Sequence, residues 1–559
     1  MQPRSDPPPV DPVKKPKLLP PDDDFPELPH HHHRGGGGGG GSPTAAFHGL
    51  HHYLSARPRA WLVVSILAIQ LLLLLSARSI PASSPSPRLG SRTSVAAPHN
   101  SHDSADVAVP PSLPAAATVT SSPAADETPA DDEGACEYGR VYVYDLPAVF
   151  NKEFVDGCDD LNPWTSSCDA LSNGGFGQPS ADLAGVVPDA LLPSWYGTDQ
   201  FAAELIYHRR MLADRCRTLH PSAATAFYIP FYGGLAVGKY LWSENENYTA
   251  RDRDRHARML LRWIRDREPW RKSQGRDHFI VLGRITWDFR RSGDDDWGGS
   301  FLFMPGMEKV TRLLIERNPW DDRDVGVPYP TGFHPRSSAD LRAWQDFVLH
   351  GPRSTLFCFA GAPRSRIKND FRGVLLDQCR GSPRGQCRSL DCSGTRCSNR
   401  TGETLGLFLD SAFCLQPRGD SFTRRSTFDC MVAGAIPVFF WQRSAYAQYE
   451  WFLPADGGEY SVFIDRAAVR NGSVEVGKVL AGLGEERVRK MRETVVEMIP
   501  RLLYAQPGGV LGPGEDDAFD VALKGVLRRF QEEKESEGRS NEGYGEAAAG
   551  DGPEAAPVG

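Results

Sequence analysis

Apolar residues recur along the middle of this chain in two rhythms. Short unbroken runs bounded by Gly and Pro stand at 141–147 (VYVYDLP), 226–232 (AFYIPFY) and 278–283 (HFIVLG). Runs of that length predict strands buried on both faces, the habit of parallel sheets. Between the first two, 198–216 sets Phe201, Leu205, His208 and Leu212 on one helical face, and a helix around Leu260, Trp263 and Ile264 separates the second from the third. A second alternating block begins with the strand 355–361 (TLFCFAG) and a helix over 369–379. Strand 411–417 (SAFCLQP), helix 426–433, strand 435–440 (AIPVFF) and strand 460–465 (YSVFID) complete it. Strands alternating with helices imply parallel sheets built from right-handed crossovers. The expected fold class is α/β: two facing Rossmann-like domains over 136–340 and 341–510. A closing helix over 511–533 follows, with Phe519, Leu523, Val526, Leu527 and Phe530 as its apolar stripe.

The ends follow neither rhythm. Residues 1–59 are rich in Pro, His and Gly, with a His run at 30–33 and a Gly tract at 35–41, and predict a disordered tail. Residues 60–77 (AWLVVSILAIQLLLLLSA) carry no charge and are close to the short limit of roughly 17 to 25 residues for a membrane-spanning helix. Lys14, Lys15, Lys17, Arg34, Arg57 and Arg59 precede that run, and Arg78 is the first basic residue after it. The positive-inside bias therefore keeps the leader in the cytosol and sends everything after residue 77 into the lumen. The long leader favours a signal anchor over a cleaved signal peptide, and a short span suits a thinner, early secretory membrane. Residues 78–135, mostly Ser, Pro and Ala, predict a disordered lumenal stem, and 534–559 a disordered tail.

The remaining composition agrees with a lumenal body. All 11 cysteines follow the span, and an oxidising lumen favours disulfides. Cys379, Cys387, Cys392 and Cys397 lie in a polar stretch without histidine or paired CxxC spacing, so disulfides are favoured over zinc. The odd count leaves at least one thiol unpaired, and Cys358, Cys414 and Cys430, set in apolar runs, are the expected buried free thiols. Glycosylation sequons stand at Asn247, Asn399 and Asn471. A net charge of -8 without a basic stripe argues against a nucleic-acid partner.

The stretch richest in chemistry is 414–440, CLQPRGDSFTRRSTFDCMVAGAIPVFF. Its loop follows a strand, at the end where open α/β sheets bind ligands. Gly419 lets backbone approach a ligand closely. Asp420 or Ser421 is expected to cap the helix start, leaving amide N–H groups to face an anion. Arg424 and Arg425 have the geometry to neutralise a diphosphate. Arg425 and Asp429, one turn apart, face the same way, so a capped helix with a surface ion pair is the alternative.

This segment resembles the signature of plant exostosin-like glycosyltransferases (family 47), in particular the xyloglucan galactosyltransferase branch. VYVYDLPAVFN, TDQFAAELIYHRRM, FYIPFYGGLAVGKYLW, FIVLGRITWDFRR, PYPTGFHP, LFCFAGAPR and SAYAQYEWFLP extend the resemblance in order across 136–500. It implies a GT-B arrangement with the donor nucleotide held mainly by the second domain. It further implies inverting transfer from UDP-galactose to a xylose side chain of xyloglucan, by a single-pass type II protein of the Golgi membrane. Complexes with other wall-synthesis glycosyltransferases fit that setting. The donor motif falls on Gly419, Asp420, Ser421, Arg425, Ser426 and Asp429, with Gly361 and Arg364 of FAGAPR as a second contact to the diphosphate. The chain departs from the branch at Gly332, where an aromatic commonly precedes Phe333, and at Trp441 and Phe452, where histidine is usual. Those positions leave the sugar and acceptor open: arabinose, a uronic acid, or a non-catalytic glycan-binding subunit are the other readings.

An inverting displacement needs a base for the acceptor hydroxyl and positive charge for the departing diphosphate. Arg425, Arg364 and the amides after Asp420 supply the charge, so no metal or other cofactor is expected. Asp288 in GRITWDFRR is the candidate base, weighed against the more favoured ion pair with Arg290 or Arg291. Arg284 and His334 are candidate donor or acceptor contacts, and Glu204 and His334 are reserve bases. Asp294, Asp295 and Asp296 follow polar RRSG rather than an apolar strand, which predicts a solvated acidic loop and not a metal-binding Asp-x-Asp motif.

Overall fold

Among the described residues the strands pair only in parallel, and they form two sheets. The computed structural model describes residues 136–549 apart from 243–247, 365–369, 394–396, 398–400, 420 and 510. The expected leader, anchor and stem lie outside the described residues, as do Asn247, Asn399 and Asp420. Among the described residues no helix is long and apolar enough to cross a membrane.

The first sheet contains β1 (Val141–Val143), β2 (Arg217–Thr218), β3 (Ala226–Ile229), β4 (His278–Ile285), β5 (Thr311–Glu316) and β6 (Asp324–Gly326), in the order β2-β1-β3-β4-β5-β6. The second contains β7 (Thr355–Ala360), β8 (Cys387–Leu390), β9 (Ser411–Gln416), β10 (Ile436–Phe439) and β11 (Val462–Phe463), in the order β11-β10-β9-β7-β8. Both sheets wind the same way: the second strand lies on one side of the first and the later strands on the other. In the second sheet the winding reverses between β7 and β9, and ligands of such sheets sit beyond the strand ends at that reversal.

Helices link the strands. Among them are α1 (Ala203–Leu212), α2 (Ala250–Arg265), α3 (Ser338–His350), α4 (Phe371–Gly381), α5 (Ser426–Val432) and α6 (Ala518–Ala549). Each of α2, α3 and α4 starts where a side chain accepts a backbone N–H: Thr249 from Asp252, Ser337 from Asp340, and Asp370 from Arg372 and Gly373. Asp370 therefore sets the start of α4 two residues later than the sequence pattern suggests.

One apolar core crosses from sheet to sheet. It joins Phe279 and Leu313 of the first to Cys358, Cys414 and Phe439 of the second. Polar ties reinforce it: Trp344 Nε1 donates to Val432 O at 2.8 Å and Tyr449 OH to Ile315 O at 2.8 Å. Phe519, Leu523, Val526, Leu527 and Phe530 of α6 are buried in the same core. Phe519 packs 5.5 Å from Tyr207 on the first half, while Arg529 lies over Trp451 on the second. The helix runs on to Ala549, past Lys534, where composition suggests a disordered tail; Glu, Lys, Arg and Ala are strong helix formers.

Disulfides join Cys136–Cys216, Cys158–Cys168, Cys379–Cys387, Cys392–Cys397 and Cys414–Cys430. The last pair corrects the expectation of free thiols there. Strand β9 and helix α5 bring the two Cα atoms to 6.4 Å, within reach of a bridge. Cys358 alone among the described cysteines stays free and buried.

Candidate active site

The loop after β9 leaves the second sheet, touches the first and returns to start α5. At Gly419 a Cβ would stand 2.3 Å from the Thr423 carbonyl oxygen, so only glycine closes this turn. Ser421 and Thr423 do not cap the helix. Ser421 Oγ donates to Glu316 at the end of β5, as do Thr423 N–H at 2.8 Å and Thr423 Oγ1 at 2.6 Å. Trp287 Nε1 adds a donor to Glu316 at 3.1 Å. The expected Ser421 cap is thus corrected: α5 starts at Ser426 behind Arg425, without a side-chain cap. Burial raises the Glu316 carboxyl, and these hydrogen bonds oppose the shift.

Arginines surround the turn. Arg425 donates to Thr198 O and pairs with Asp429 at 3.2 Å, so the ion pair of the capped-helix alternative is present. It does not take Arg425 out of the site, because Arg425 also lines the cavity. Burial raises the Asp429 carboxyl while Arg425 pulls it down. Ser426 Oγ donates to Gln416 at 2.7 Å, Arg424 to Ala360 O at 2.8 Å and Arg372 to Arg418 O at 3.2 Å. Arg364 donates to the Gly419 carbonyl, and Gly361 N–H to Leu390 O at 3.0 Å.

A cavity of about 400 Å³ opens between the carboxyl ends of the two sheets. Gln200, Phe201, Arg284, Asp288 and Glu316 line it from the first, and Arg372, Gly419, Ser421, Arg424, Arg425 and Ser426 from the second. Arg284, Asp288, Gly419, Ser421, Arg425 and Ser426 are therefore brought together as the sequence pattern suggests. Gly361, Arg364 and Asp429 lie outside the lining; Arg364 and Asp429 act on it through Gly419 and Arg425.

Asp288 is ion-paired, but not to Arg290 or Arg291. Its Oδ2 accepts from Arg284 at 3.0 Å and its Oδ1 from Trp297 Nε1 at 2.7 Å. The short turn Thr286–Phe289 sends the next two arginines elsewhere, Arg290 to Asp321 and Asp324, Arg291 to Asp254. His334 has no exposed surface. Its Nδ1 meets Tyr504 O at 2.6 Å, its Nε2 meets Thr198 Oγ1 at 2.8 Å, and its ring stacks on Phe176, so it faces neither donor nor acceptor. Burial lowers its pKa to about 3. Glu204 is buried behind the cavity wall, accepting from Gly283 N–H at 3.0 Å and Gly234 N–H at 2.5 Å, with its pKa pushed by burial to about 7. Asp294 is exposed and paired with Arg291, while Asp296 accepts from Gly293 N–H and Ser292 Oγ within its own turn. Asn471 is exposed at the end of a short helix, open to a glycan.

Glu316, Arg372, Trp242 and Trp297 are lining residues that the sequence pattern does not single out. The one available signal was that Glu316 ends an apolar run at the binding end of a strand.

A model of the exostosin GT47 domain matches residues 135–480, which span both sheets. The chain belongs to the exostosin GT47 family. It is 54% identical over 486 residues to the xyloglucan galactosyltransferase XLT2 of Arabidopsis thaliana, covering 85% of this chain and 89% of that one. It is 40% identical over 413 residues to the xyloglucan galactosyltransferase MUR3 of the same plant, covering 73% of this chain and 65% of the relative. A xyloglucan-specific galacturonosyltransferase from that plant is 39% identical over 398 residues, covering 71% and 58%. In this GT47 chain Gly332 has a physical reason: a Cβ there would lie 2.7 Å from the Tyr196 carbonyl oxygen, so no aromatic fits. Phe452 is fully buried, and Trp441 packs 4.9 Å from Phe422 of the loop after β9, outside the cavity lining.

Proposed function

We propose that this GT47 chain transfers galactose from UDP-galactose to xylose side chains of xyloglucan, inverting the anomeric centre. The observation that carries this reading is the charge of the cavity. Among the described lining residues, Arg284, Arg372, Arg424 and Arg425 stand against Asp288 and Glu316, a surplus of positive charge where a diphosphate would lie. The identity to the relatives named for galactosyl transfer supports the sugar and the acceptor. In this reading the two sheets form a GT-B arrangement and the second holds the nucleotide at its β7/β9 reversal.

In the displacement the acceptor oxygen attacks the anomeric carbon from the face opposite UDP. The bond to the diphosphate breaks, its electron pair stays on the phosphate oxygen, and Arg425 with its neighbours stabilises that charge. Asp288 takes the acceptor proton. A carboxylate offers about four acceptor sites. Glu316 receives four protein donors and is filled, whereas Asp288 receives two and keeps room for a hydroxyl. The arginines stand in for a metal, so the reaction needs no divalent ion. The setting is the Golgi lumen, behind a single-pass anchor at 60–77, among other wall-synthesis glycosyltransferases.

The test incubates the full chain in detergent with xyloglucan oligosaccharides and UDP-galactose, UDP-galacturonate or UDP-arabinose, with and without EDTA. Galactosylated product in EDTA is expected. Product from UDP-galacturonate alone would move the chain to the uronic acid reading, and acceptor binding without turnover of any donor would make it a glycan-binding subunit.

A further inference from the structure

Three indoles form a chain that the displacement does not itself use. Trp297, which holds Asp288 through its Nε1, and Trp242 both line the cavity, with ring centroids 4.9 Å apart. Trp164 continues the series beyond the lining, 6.0 Å from Trp242, and is 39% exposed. It sits in a short loop closed by the Cys158–Cys168 disulfide. Ser167 N–H donates to Cys158 O at 3.1 Å and Trp164 N–H to Asn162 Oδ1 at 2.9 Å, so the ring is presented on a braced support. An exposed aromatic continuous with a cavity lined by two further indoles suits a binding surface, and a pre-ordered aromatic loses little freedom when it binds.

We infer that Trp297, Trp242 and Trp164 form a track for the neutral sugar backbone of the polysaccharide acceptor, guiding it to Asp288. The inference rests on the transferase reading above. Pyranose rings present C–H groups on their faces, and the electron-rich face of an indole attracts them without needing charge. The indoles belong to the first sheet's side of the cavity, with Asp288, while Arg372, Gly419 and Arg425 form the opposite, diphosphate-binding side. A nucleotide sugar is small and ends inside the cavity. A polymer continues out of it, as the series does at Trp164.

The experiment compares wild type, Trp164→Ala and Trp164→Phe as full chains. Trp164→Ala is expected to raise KM for xyloglucan polymer about three- to ten-fold, the factor expected for one aromatic stacking contact. The rise should exceed any change in kcat, be smaller with a short xylosylated oligosaccharide, and be largely reversed by Trp164→Phe. Calorimetric binding of UDP reports that the cavity itself is folded. Electrophoresis through gels containing xyloglucan, without donor, reads the track separately. Galactosyl transfer with equal retardation and equal KM for all three proteins would overturn the track and leave the transferase reading standing. Retardation lost in Trp164→Ala while no donor is turned over would keep the track and sink the transferase reading.

Discussion

Thr423 gives both its backbone N–H, at 2.8 Å, and its hydroxyl, at 2.6 Å, to the same carboxylate oxygen of Glu316. The loop after β9 of the second sheet is thereby fastened to the end of a strand in the first. Gly419 and Arg425 occupy their places on the cavity wall because this clamp, with Ser421, fixes the loop between them.

Removing the clamp should loosen the loop before it unfolds the protein. Glu316→Ala strands the buried Ser421 and Thr423 donors, at a cost of about 1–3 kcal/mol for each one left unsatisfied, and frees the part-buried Trp287 Nε1. The expected outcome is a lower thermal midpoint and weakened UDP binding by calorimetry. UDP affinity equal to wild type in a folded Glu316→Ala protein would show that the clamp does not shape the donor site.

Arg425→Ala tests the charge at the leaving group. Loss of one pre-organised donor to a developing charge typically costs about 10²–10³ in rate. The same change leaves Asp429 without its ion pair, so the informative comparison is Arg425→Ala with Asp429→Asn. Turnover should collapse in the first and fall much less in the second, which keeps the guanidinium in the cavity. Equal losses in both would mean that Arg425 acts only as the partner of Asp429.

Asp288→Asn keeps the shape of the side chain and an acceptor for Trp297 but cannot take a proton. General-base removal costs about 10²–10⁴ in kcat. UDP binding should change much less than kcat, because in the proposed reading three of the four cavity arginines, Arg372, Arg424 and Arg425, stand on the second sheet's side. Wild-type kcat in this variant would eliminate Asp288 as the base.

The strands most legible in the sequence were those apolar at every position, such as AFYI in β3 and IPVF in β10. The pattern passed over β5 (TRLLIE) because Arg312 and Glu316 sit in it, yet the whole strand is buried. Those charges are tolerated only through partners elsewhere: Arg312 reaches Asp324 at 2.7 Å, and Glu316 is held by a loop 105 residues ahead. No local window contains that information. The tight turn at Gly419 and the Arg425–Asp429 pair were legible because each joins neighbours four residues apart. The indole series was not, since Trp164, Trp242 and Trp297 are assembled from three separate loops. The reserve histidine failed for a related reason: only the fold buries His334 between Thr198, Phe176 and Tyr504.

Glu204 should make stability depend on pH in the direction opposite to most carboxylates. Its pKa rises from 4.5 to about 7 on folding because burial outweighs the Gly283 and Gly234 hydrogen bonds. Between those values the folded state binds more protons than the unfolded state, so stability falls as pH rises through that window and levels off above it. At about 1.4 kcal/mol per pH unit, the full penalty is about 3 kcal/mol. Glu204→Gln keeps an oxygen for the Gly283 and Gly234 N–H groups but does not titrate. Urea unfolding of both proteins between pH 4.5 and 8 should give little difference at the acid end. The glutamine variant should then gain on wild type up to about pH 7, with a constant gap beyond it. Two parallel stability curves would mean that Glu204 is charged in the folded protein throughout this range, and that the Gly234 and Gly283 amides suffice to hold it so.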